Sequence, residues 1–120
     1  MSSAGLMNRD VTLQISEPWE LSAPAGGRGR TAVVKGVDSD DPPGRLLLEL
    51  REPVVHGEVS YRLLVAVLRQ HRSLAEILVG DQSAEADLYG IPEGRSVEDP
   101  FNLDWWRGGL GIVGTLSILP

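Results

Sequence analysis

The sequence predicts a mainly β protein: a small antiparallel barrel or two-sheet sandwich of about six strands, with one short helix near residues 73–79. Three observations predict it. Apolar and polar residues alternate over short stretches, which is the period of a half-buried strand. Clusters of Pro, Gly and Asp separate those stretches at intervals of about 10–15 residues, the spacing of turns in an all-β chain. The longest apolar run, Leu63–Leu68, lies near the middle of the chain in a β-branched context. The competing arrangement is α+β, and it follows if residues 61–79 form one amphipathic helix.

Taken in order, residues 1–9 carry no periodic pattern and read as a disordered lead-in. Residues 10–120 remain as a single globular domain, long enough to bury a core without staples. Val11, Leu13 and Ile15 share one face of a first strand that Pro18 ends. Trp19 and Leu21 follow in an extended stretch, before the Pro/Gly loop Ala23–Arg30. That loop holds too little Arg-Gly sequence to be an RNA-binding tract. Thr31–Asp38 is β-branched and reads as a second strand, with Gly36 marking a bulge or a close backbone approach. Asp38–Gly44 (DSDDPPG) is written in turn residues. Its aspartates lack the alternating spacing, central Gly and terminal Glu of a calcium loop.

Arg45–Leu50, with Leu46, Leu48 and Leu50 inward, pairs back as a hairpin. Pro53 and Gly57 frame a connection into Val59–Arg69. There both faces are apolar after Leu63, as in a strand covered on two sides. Ser73-Leu-Ala-Glu76 fits a capping box for the helix 73–79, and Gly80 stops it. Ala84–Ile91 reads as a strand with Glu85 and Asp87 towards water. Residues 92–104 form a long loop. In the last strand Leu110, Ile112, Leu116 and Ile118 alternate with Gly111, Val113, Thr115 and Ser117.

Charge is segregated along the chain. Residues 1–80 are nearly neutral, whereas residues 81–104 hold seven acids against Arg95 and so carry the whole net charge of −6. A phosphate backbone needs a clustered positive field, so no nucleic-acid partner is expected. The chain contains no cysteine. That removes disulfides, thiolate nucleophiles and zinc–thiolate sites, and fits a reducing cytoplasm. No apolar run approaches the roughly 20 residues that span a bilayer, and no secretory signal opens the chain, so a cytoplasmic protein with no membrane partner is expected. Ten Arg against the single Lys35 is the usage of a GC-rich bacterial genome.

No catalytic constellation emerges. Gly109-Leu-Gly-Ile-Val-Gly114 has the spacing of a dinucleotide fingerprint, but no helix or downstream acid can follow it. Its glycines read as strand positions of close approach. His56 and His71 stand apart from other ligand types, so no metal is expected. Ser60 and Ser73 lack the context of an activated nucleophile. The carboxylates of residues 81–104 would need desolvation to do acid–base work.

Function is therefore expected to be non-catalytic and cofactor-free: a binding or assembly module acting through a protein–protein interface, as a homodimer or with a basic partner. The interface candidates are Trp105, Trp106 and Asp104, together with the positive corner Arg69, His71 and Arg72. Adjacent residues on an extended chain face opposite ways, so at most one of the two tryptophans enters the core. The alternative is a small-ligand barrel or small enzyme with Trp105 or Trp106 for stacking and Asp104 as the polar handle.

Overall fold

The computed structural model describes residues 3–17, 30–38, 43–70, 72–74, 83–106 and 111–118. Six strands make it: β1 (Asp10–Glu17), β2 (Arg30–Val37), β3 (Arg45–His56), β4 (Val59–Leu68), β5 (Ser83–Pro92) and β6 (Gly111–Ile118). Each pairs antiparallel with the next, and β6 returns to β1, so the sheet closes into a barrel in sequence order. Closure leaves no sheet edge along the barrel wall. Barrel, and not sandwich or α+β, is the outcome.

Period-two alternation explains the closure. Val11, Leu13, Ala32, Val34, Leu46, Leu48, Leu50, Leu64, Ala66, Leu68, Ala86, Leu88, Ile112 and Leu116 all point inward and are buried in one cluster. Six strands enclose a space narrow enough for side chains alone to fill. Ion pairs sit on the outer face: Arg51 Nη2 to Asp10 at 2.6 Å, Arg62 to Glu93 at 3.3 Å, and Arg69 to Asp87 at 2.9 Å. This apolar-in pattern is the reverse of a lipid-spanning barrel. Among the described residues no helix is long and apolar enough to cross a membrane.

Several segments depart from the alternation, each for a local reason. The β2 ladder slips between Val34 and Gly36, so Lys35 is an extra, exposed residue and Gly36 is turned outward. β3 runs on through Pro53 to His56, where the sequence suggests a connection. The register takes up three extra residues between Glu49 and Val54, and this bulge tolerates a proline that cannot donate to the ladder. Beyond it, a tight turn with Gly57 at φ 64° joins β3 to β4, and Val55 at the tip is 60% exposed. A second slip, between Tyr61 and Leu63, reverses the parity of β4. Tyr61 therefore turns inward with Leu64 instead of sharing a face with Leu63 and Val65. Its ring lies over Gly90, where a Cβ would come within 2.6 Å of Tyr61 Cδ1.

The other barrel end is closed by Leu6 and Leu74, both fully buried in the core. Leu6 belongs to a 3-10 turn, Ser3–Leu6. That segment docks on β2 through Asn8 N–H donating to the Val34 carbonyl at 2.9 Å and Val34 N–H donating to the Arg9 carbonyl at 3.0 Å. Residues 3–9 thus pack with the barrel, although they have no periodic signal to announce it: a plug is one buried side chain and not a repeating face. Leu74 sits against Gly44, and of the expected helix 73–79 only Ser73 and Leu74 are described; residues 75–79 lie outside the described residues. So do Trp19, Leu21 and most of the loop 23–30.

Candidate functional site

With the interior filled by side chains, a site is sought on the outside, where residues 93–106 are the longest irregular segment among the described residues. These residues, which follow β5, lie against the barrel wall. A turn at Gly94 (φ 88°) follows β5, with Arg95 N–H donating to the Pro92 carbonyl at 3.1 Å. The Asp99 side chain accepts from Phe101 N–H at 3.1 Å, an Asx-type turn that redirects the chain. Asn102 then caps a short 3-10 turn, Leu103–Trp105, by accepting from Asp104 N–H at 3.2 Å. We call residues 93–106 the strap.

What the strap covers follows from the registers. Gly36, Leu47, Val65, Tyr89 and Gly111 are successive partners on β2 to β6, so they form one outward row across five strands. Val65 faces out by parity, yet none of its surface is exposed. Two aromatic side chains of the strap flank it. Phe101 meets the row at Gly36, where a Cβ would lie 3.5 Å from its Cζ. Trp106 meets the row at the far end, edge-on to Tyr89 with ring centroids 5.1 Å apart, and a Cβ on Gly111 would lie 3.4 Å from its Cζ2. A glycine at each end of the row leaves space for a ring against the backbone. The two-sided apolar character of β4 is thereby explained: its second face belongs to a second, outer layer.

Trp105 points elsewhere. Its indole Nε1–H donates to the Pro100 carbonyl at 3.0 Å, which orients the ring. The Arg95 guanidinium lies over that ring, 5.8 Å from the centroid, and its Nη2 donates to the Trp105 carbonyl at 3.0 Å. Trp105 walls a cleft of about 350 Å³ with Ser96, Val97, Glu98, Asp99, Asn102 and Asp104. A second cleft of about 450 Å³ shares Asp99 and Asn102 and adds Asp38, Arg45, Phe101 and Leu103. The two clefts therefore adjoin along the strap at Asp99 and Asn102. Arg45 ties it to β3: Nη1 donates to the Phe101 carbonyl at 3.3 Å and lies 3.6 Å from Asp38. Glu98, Asp99 and Asp104 are exposed, and none forms an ion pair among the described residues.

The residues expected at an interface are divided by this arrangement. Trp105 and Asp104 share the groove. Trp106 is used for packing the strap, and neither tryptophan enters the barrel core. Arg69 lies beside the strap, since its partner Asp87 is two residues from Tyr89 on the same face of β5. Arg72 donates to the Ser83 carbonyl at 3.1 Å, and His71 lies outside the described residues. The guanidinium groups of Arg69 and Arg72 are thus engaged within the molecule. Sequence reading missed Arg95, Phe101, Asn102 and Arg45; of these only the Asp99-Pro-Phe-Asn102 turn pattern carried a local signal.

Among the described residues no three His, Cys, Asp or Glu side chains converge to hold a metal ion. No family model, curated protein or solved structure matches the chain.

Proposed function

We propose that this protein is a non-catalytic binding module that docks a basic protein on the acidic groove of its strap. The observation that carries the reading is the pairing of a filled barrel interior with an outer groove whose three carboxylates, Glu98, Asp99 and Asp104, form no ion pair among the described residues. Charge of one sign concentrated on one surface steers an oppositely charged partner and fixes its orientation. Self-association through the Arg69–Arg72 corner has less support, because Arg69 and Arg72 already have intramolecular partners. A bacterial, cytoplasmic setting belongs to the same proposal and rests on the arginine-rich, cysteine-free composition.

The test is light scattering of the chain across a salt series, alone and with a basic polypeptide. A monomer that binds the polypeptide at low salt, loses it as salt rises, and loses it on E98Q/D99N/D104N supports the reading. An oligomer that dissociates with salt returns the module to self-assembly. A second reading has one observation in its favour: Trp105 and Asp104 do share a cleft of small-molecule size. A monomer that ignores basic polypeptides, with tryptophan fluorescence that responds to a metabolite, replaces the first reading with the second.

A further inference from the structure

Resting on the basic-partner reading above, the geometry points to the side chain that the groove reads: we propose that the Trp105 cleft accepts an arginine of the partner, as the same indole already accepts the guanidinium of Arg95. A guanidinium already lies over the Trp105 ring, 5.8 Å from the centroid. Among the described residues its one hydrogen-bond anchor is the Trp105 carbonyl, bonded to Nη2 at 3.0 Å. Among the described residues Arg95 forms no ion pair, and the cleft beside it is lined by Glu98, Asp99 and Asp104 with Trp105 and not by Arg95 itself. The strap therefore holds an aromatic face that accepts a guanidinium, and separately three acceptors that the resident guanidinium does not use.

An incoming arginine uses both. Its planar cation stacks on an indole better than the compact, strongly hydrated ammonium of lysine, and its fork of N–H donors pairs with a carboxylate through two bonds. Trp105 is preorganised for this, because its Nε1–H bond to Pro100 fixes the ring before any ligand arrives. Arg95 is itself exposed, so it leaves the ring at little cost. Its positive charge beside the cleft weakens the field there. Removal of Arg95 consequently strengthens binding.

The experiment uses fluorescence anisotropy of labelled oligo-arginine and oligo-lysine peptides of equal length, titrated with the full chain at one salt concentration. Oligo-arginine is expected to bind about 5–10-fold tighter than oligo-lysine, the range of a partly desolvated cation–π contact. W105L, which removes the π face, collapses that preference to about 2-fold or less, while W105F retains most of it. R95A tightens oligo-arginine binding about 2–5-fold. Circular dichroism of each variant checks that the barrel persists, and the W105F result keeps the test valid if W105L unfolds. Equal affinity for the two peptides, or a preference that survives in W105L, overturns the arginine pocket and leaves the acidic docking surface standing. Unchanged or weakened binding by R95A overturns the opposing effect of the Arg95 charge. Failure of both peptides to bind at all overturns the basic-partner reading itself.

Discussion

Leu48 and Leu64 are ladder partners inside the barrel, and Leu47 and Val65, their neighbours in the chain, are ladder partners outside it. Both pairs are apolar, and Leu48, Leu64 and Val65 have no exposed surface. The inner pair is closed over by hydrogen-bonded strands on every side. The outer pair is closed over by a strap with one short 3-10 turn and a few aromatic contacts. The difference teaches where stability and adaptability are divided in this fold. The inner layer is expected to open only when the barrel opens, and the strap to lift on its own, because among the described residues few backbone bonds tie it to the barrel. Binding surfaces are commonly built on such segments, carried by a rigid scaffold.

Four substitutions break or sharpen that contrast. The largest loss is expected for Leu64→Ala, which removes a fully buried side chain facing a closed interior. It should cost about 3–4 kcal/mol in urea unfolding, and a loss below about 1 kcal/mol contradicts a filled barrel. Gly90→Ala comes next. The new Cβ would meet Tyr61 at 2.6 Å, so we expect about 1–3 kcal/mol of strain, relieved when Tyr61→Ala is made in the same chain.

Trp106→Ala tests the outer layer. It removes the edge-on contact with Tyr89 and should cost about 1–2 kcal/mol. More tellingly, amide exchange should quicken in residues 95–106 while β3 and β4 stay protected; uniform loss of protection would mean that the two layers open together. The smallest effect belongs to Arg69→Ala. Its pair with Asp87 is about 40% exposed on each side (42% and 37%). Solvent screening limits it to about 0–1 kcal/mol, falling further as salt is added to the melt.

Much of the inner layer was legible because alternation is a local, repeating signal. Val11, Leu13 and Ile15, or Leu46, Leu48 and Leu50, declare an inward face within a few residues of chain. The turn at Gly57 was harder, since Pro53 reads as a break, and only a bulge lets β3 continue past it. The site was legible in part. Trp105 and Asp104 stood out by residue type and local charge, but Arg95 is an ordinary surface arginine until the strap folds it over the indole.

By itself the sequence determined the class of the fold, the approximate strands and the acidity of one segment, because side-chain parity and charge are properties of neighbouring residues. Tertiary structure alone decided that the sheet closes from β6 onto β1, since closure depends on the registers of all six strands together. It also decided that Tyr61 turns inward, because a one-residue slip reverses every face beyond it. And it decided what the apolar back of β4 is for. Gly36, Leu47, Val65, Tyr89 and Gly111 are scattered through the chain and become a single row only in the closed barrel, where the strap can lie across them.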